Sequence, residues 1–493
     1  MSIRIFGNEP RKPARTASLR VEVLEQREVP ANFWWVGGQD PEGYQNFDAW
    51  YAPNWRYQEM TPSGKLTEID WSDGLLPGDG DYVFFEGDPL EQTVEGAPRT
   101  FRDCDDFGLA SGAFKAVAVT GGYDKTVTLE LGFVTESFVL SSGYISQPVS
   151  GTDIVTKNFL WDGGVLNSSY EHSATLLVAG GTATIDPTDE DLITRDSIVF
   201  AAVNTVAGVV GATATWNPGT VNFLGGGGVS VGEFCNLTIA PVPLADVKWV
   251  AEDKTGGKYK LDVRGTCTVT NTSKTGYAAA GIGMPLLVNG GVVEVNSRAG
   301  FYVSGKYIEY VLGVPLPLGS VVMYDGTIRL RTPSTLSAEN GVGMAGGNLI
   351  VVVPPNAPSG EAFRRGTING NLAVNGGTVS VAGPSTDDLE ASLSVTQNVN
   401  WTGGEFRPQV DTKQNELRTE WRTDAKFTIG GQATVKPEWT TLPAPPAVGT
   451  VWSVLYAANG FSGLPQVSGI TFDDKVIIEP DPLSKQFIRL RMT

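Results

Sequence analysis

Histidine is almost missing from this chain: 493 residues contain one, His172, within NSSYEHSATLL. Acid–base chemistry near neutral pH leans on imidazole, so one turn-borne copy reads as a surface residue rather than a general base. Cysteine is nearly as scarce. Cys104, Cys235 and Cys267 form no C-x-x-C pair, which removes the usual zinc spacings and any disulfide framework. Two readings of Cys235 and Cys267 stay open, a bridge between neighbouring repeats or small buried hydrophobes. No run of 18 apolar residues occurs, so no membrane span is expected. Basic residues number 36 against 54 acidic ones, a formal net charge of −18, and such a surface repels phosphate backbones and argues against a nucleic-acid partner. Helical i, i+3, i+4 spacing is nearly absent, and no 12-residue segment reads as a helix.

What the chain does contain is a repeated phrase. Alternating apolar residues run into Gly-Gly, and alternation resumes beyond: LLVAGGTATI ending at Ile185, LLVNGGVVEV at Val295, LAVNGGTVSV at Val381 and FTIGGQATV at Val435. FLWDGGVLN around Trp161 and VNWTGGEFRP around Trp401 are looser copies. Gly376, Gly403 and Gly430 follow one another in equal 27-residue steps, Gly346 precedes Gly376 by 30, and Gly290 precedes Gly346 by 56, about two steps. Period-2 alternation belongs to strands, and paired glycines supply the tight corner between them. Repetition at this period is the mark of stacked supersecondary units. The expected fold is therefore all-β, a parallel β-helix or β-solenoid of roughly 13 coils at 4.8 Å spacing over residues 82–440. The competing arrangement, β-sandwiches in series, also fits frequent turn signals but not the equal steps. Composition agrees, with 60 Gly, 30 Pro, 41% hydrophobic and 18% charged residues, enough apolar material for a large core.

The two ends differ from the middle. Residues 1–31 carry Arg4, Arg11, Lys12, Arg15, Arg20 and Arg27 without a following apolar run, so an ordinary signal peptide is not expected there. The segment SLRVEVLEQREVPA contains Leu24, Glu25, Arg27, Val29, Pro30 and Ala31. This LExRxVPA string resembles the LEPR-XLL-type segment near the start of planctomycete-type exported surface proteins. The resemblance covers about 14 residues and implies an export or surface-attachment role. Residues 32–81 follow as an aromatic-rich cap in which Phe33, Trp34, Trp35, Tyr44, Phe47, Trp50, Tyr51, Trp55 and Tyr57 crowd together. The outline carried by Trp35, Gly37, Gly38, Asn54, Trp55, Gly74, Pro77, Asp81, Val83 and Phe85 resembles the entry segment of autotransporter-like β-helix repeat proteins, with an extra stretch after Trp55. A first coil must have its free strand edge covered, and flat aromatics suit that task. Trp34, Trp50 and Trp55 are also the candidates for stacking on sugars. Residues 441–493 form a short C-terminal β cap, set off by Leu442–Pro446. It is similar to the terminal rungs of the same repeat families, with Ile488, Leu490 and Met492 alternating against Arg489 and Arg491.

Chemistry is thinly signalled. The acidic groups Asp79/Asp81, Asp103/Asp105/Asp106 and Asp186/Asp189/Glu190/Asp191 lack the His and Arg-x-Lys companions of polygalacturonase-type sites, and G-x-S-x-G strings lack a useful context. Asp186, Asp189 and Asp191 in one turn, or Asp79 and Asp81 in GDGD, are the calcium candidates, hard oxygens close together. No other cofactor is expected. The functional expectation is an exported cell-surface or envelope β-solenoid with a structural or adhesive role, without catalysis, facing extracellular or envelope polymers. The alternatives are a polysaccharide lyase or hydrolase on a β-helix scaffold and a glycan-binding surface module.

Overall fold

Alternation in the sequence becomes alternation of burial. Strand Thr378–Ala382 buries Val379 and Val381 and turns Ser380 outward, and Leu372–Val374 does the same around Ala373. The computed structural model describes residues 30–35, 55–59, 61, 63, 65–71, 75–86, 103–108, 112–148, 152–168, 174–225, 227–242, 245–252, 259–271, 277–311, 314–354, 364–382, 391–411, 416–417, 419–439, 447–468 and 476–493. They form an all-β chain with no helix.

From Phe133 onward most strands pair in parallel along three ladders. The first joins Thr175–Ala179 to Ser197–Ala201, and that strand to Val229–Val231. The second joins Thr182–Ile185 to Thr213–Trp216 and then to Asn236–Ile239. The third joins Gly219–Phe223 to Val247–Ala251 and then to Ala278–Ile282. Two long strands, Ile154–Ser168 and Leu286–Val295, bend and take part in more than one ladder. The sheet closes on itself as a parallel ten-strand barrel, with many strands outside that ring.

Register fixes the core. The inward column of the first ladder starts Phe133, Ile154, Leu176 and ends Leu372, Val399, Phe427, each directly paired with the next. All six are at most 2% exposed. A one-residue slip would turn every such column outward, so the alternating pattern specifies the pairing.

The Gly-Gly phrase marks the corner between first and second ladders. Val288/Val292, Met323/Thr327, Met344/Asn348, Val374/Thr378 and Trp401/Glu405 flank five successive corners of identical length. Their last residues are Gly291, Gly326, Gly347, Gly377 and Gly404. Gly377 has φ +81°, and a Cβ there would lie 2.3 Å from the Gly347 carbonyl oxygen; at Gly404, with φ +85°, it would lie 2.5 Å from that of Gly377. Neither the backbone angle nor the space admits a side chain. The 56-residue gap between Gly290 and Gly346 conceals a corner in which Tyr324-Asp325-Gly326 replaces the double glycine.

The 27-residue step is real but local. Asn398 N–H donates to Asn371 Oδ1, and Thr402 Oγ1 to Asn375 Oδ1, each across 27 residues. Elsewhere neighbouring rungs meet after 22 residues, as between Asp153 and Thr175, or 35, as between Glu294 and Arg329.

At the N-terminal end Ala31–Trp35 pairs parallel with Tyr82–Glu86 and antiparallel with Trp55–Glu59. At the other end Val451–Ala457 continues the third ladder in parallel from Thr419–Thr423, and Phe487–Met492 pairs with it antiparallel. Ile488, Leu490 and Met492 are buried there, as their alternation requires.

Candidate functional site

The aromatic end is built by strand register. Ala31–Trp35 places Phe33 and Trp35 inward, and its antiparallel partner sets Trp55 opposite Trp35. Their rings meet edge to face at 5.1 Å, and both contact Phe85, at 6.4 and 5.7 Å. Phe85 passes the contact to Phe107 at 5.3 Å, and Phe107 to Phe133 at 5.6 Å. Such contacts add to the area the rings remove from water. Trp55 is 0% exposed and so presents no face to a sugar. Trp34 points outward, half-buried, and lies stacked on Phe84 at 5.5 Å. Trp50 and His172 fall outside the described residues.

Of the export segment, Leu24, Glu25, Arg27 and Val29 lie outside the described residues, and Pro30 is exposed just before the first strand. Ala31 N–H donates to Asp81 Oδ1 at 3.0 Å, and Gly78 N–H to Asp81 Oδ2 at 2.8 Å. One buried carboxylate thus ties the start of the sheet to the turn before Tyr82.

The other acidic residues do similar work. Asp79 accepts the Ala113 N–H at 2.7 Å, Asp103 that of Thr126 at 2.7 Å, Asp153 that of Thr175 at 2.8 Å and Glu190 that of Gly164 at 2.7 Å. Each carboxylate binds the backbone of another rung. Of the calcium candidates, Asp186 is half-buried and accepts the Thr188 hydroxyl proton, while Asp189 and Asp191 are exposed. Among the described residues, no three His, Cys, Asp or Glu side chains gather to hold a metal ion.

All three cysteines are buried, and Cys235 and Cys267 form no bridge to one another. Cys267 sits in the second-ladder column between Leu237 and Val293, as a small hydrophobe would. Burial pushes its pKa up to about 12 and raises that of Cys235 as well. Thiols held protonated are poor nucleophiles.

One feature gave no signal in the sequence. On the outer face of the first ladder, Ser197, Val199, Ser230, Lys260 and Asp262 line a shallow groove. Asp262 is 6% exposed, and its Oδ2 lies 3.7 Å from Arg264 Nη2. Ser230 and Asp262 are 32 positions apart and meet only through register. Alternation identifies both as outward-facing, but a burial that depends on neighbouring rungs has no local signature. Compared with known proteins, the chain matches no protein family, no curated relative and no solved structure.

Proposed function

We propose that this chain is an exported cell-surface or envelope β-solenoid with a structural or adhesive role, its three ladders being the faces of one stack of roughly 13 coils, about 60 Å long. On this reading the closed ten-strand ring consists of two neighbouring faces joined where long strands turn a corner. The observation that carries it is the unbroken inward column from Phe133 through Leu286 to Phe427, in which each residue contacts the equivalent one in the next rung. A body held together in this way is stiff along its axis and needs no reacting group to serve as a spacer or attachment surface. Its acidic, polar exterior suits contact with extracellular or envelope polymers. The LExRxVPA segment supports export, by resemblance.

Cell fractionation with mapping of the mature N-terminus tests the role. Recovery at the surface or outside the cell is expected, and an unprocessed chain confined to the cytoplasm would overturn it. Small-angle scattering tests the shape, for which an elongated profile of about 60 Å is expected and an isotropic one would overturn the stack.

A further inference from the structure

One coil breaks the rule of the short corner. Between Ser197–Ala201 and Thr213–Trp216 the chain leaves the ladders as a hairpin, Val203–Thr205 paired antiparallel with Gly208–Val210. Among the described residues these two strands pair only with each other. Val206 at the tip is fully exposed, and Val209 and Val210 are 48% and 42% exposed. Phe234, 67% exposed and held at φ +64°, belongs to the same corner one rung on. Its carbonyl oxygen lies so close to Gly211 that a Cβ there would come within 1.9 Å of it. Residues 197–232 contain no charged side chain, in a chain of which 18% is charged.

We infer that this hairpin is a self-association surface, one of its free edges pairing with the same edge of a second copy about a two-fold axis, with Phe234 beside the contact. A two-stranded ribbon leaves backbone N–H and C=O groups on both outer edges, and natural proteins usually blunt such edges with Lys, Pro or a cover. Neither Lys nor Pro is present in VNTVAGVV. A lipid bilayer cannot satisfy those polar groups, so the apolar tip does not fit membrane insertion. A strand can. Antiparallel edge pairing is self-complementary, as an isologous dimer requires. Two copies that each carry a formal −18 repel one another over most of their surface, and an uncharged projection lets them meet at the least electrostatic cost. The ribbon is small by the standard of stable interfaces, so the dimer forms weakly and depends on concentration.

Sedimentation velocity of the full chain at physiological salt, from about 1 to about 200 µM, tests this. The weight-average mass is expected to rise from 52.5 kDa toward twice that value. Val209→Lys should weaken association at least about tenfold, whereas Val448→Lys, at another exposed apolar residue, should leave it unchanged. Replacing residues 203–210 by a Gly-Gly corner should abolish association while keeping the melting temperature, and this variant decides the matter if Val209→Lys folds poorly. A monomer throughout the range, equal association of wild type and both hairpin variants, or flotation with phosphatidylcholine vesicles in place of self-association would each overturn the inference.

Discussion

Two corners of the same rungs obey opposite rules. Between first and second ladders the connection holds one length through five rungs, and its final residue is glycine each time. Between second and third ladders the connection in the same five rungs runs from Val295 to Ala299, from Arg331 to Ser334, from Val352 to Arg365, from Ala382 to Ala391 and from Arg407 to Thr419, without constancy. At the glycine corner of these five rungs backbone packs on backbone, so no side chain fits on the last residue. At the other corner the chain is free to leave and return. Over these rungs one corner keeps a constant length, and the other absorbs variation in the sequence.

The sharpest way to break this comparison is Gly377→Val. Positive φ and a Cβ 2.3 Å from a backbone oxygen should together cost about 4 kcal/mol, visible as a large fall in melting temperature. Polar stitching between rungs should matter less. Asn398 Oδ1 accepts the Lys426 N–H at 3.3 Å, and Asn398→Ala should cost about 1 kcal/mol in urea unfolding. The permissive corner should tolerate far more. Doubling the connection between Ala382 and Ala391 with Gly and Ser should cost about 0.6 kcal/mol, and a loss comparable to that of Gly377→Val would erase the distinction.

The smallest effect concerns charge carried across the ladder. Burial pushes Glu294 upward, but Arg331 Nε at 2.5 Å and Arg329 Nη1 at 2.9 Å more than offset it, and the carboxyl is held below its ordinary 4.5. A lowered folded value means stability that is present above pH 4.5 and lost as pH falls through that lower value. Glu294→Gln should therefore cost about 0.5 kcal/mol at neutral pH and almost nothing well below the folded value, as read from melting curves at several pH values.

The all-β, parallel character was legible because alternation and paired glycines are local marks of strands and corners. Leu372, Val374, Val379 and Val381 are buried as their spacing says. The period was legible only where the permissive corner happens to be of similar length, as from Gly376 to Gly403. The corner at Gly326 carries no such mark, because Asp325 stands where the other corners have the first glycine of the pair. Trp55 illustrates another limit: an aromatic-rich string does not say which rings face inward, and that is decided by its antiparallel partner Ala31–Trp35. The acidic turns do not announce their use: Asp79, Asp103 and Glu190 accept backbone N–H groups from other rungs, a use that only register reveals.

The glycine corner also bears on how such a chain could change size. Gly346-Gly347 and Gly376-Gly377 stand at equivalent points of adjoining turns, so excising residues 347–376 would splice Gly346 directly onto Gly377 and restore an intact junction. On the proposed stacked reading, duplication of the same segment would lengthen the body by one notch, with no junction that the fold does not already contain. On that reading, reach becomes a property that a gene can adjust in whole increments.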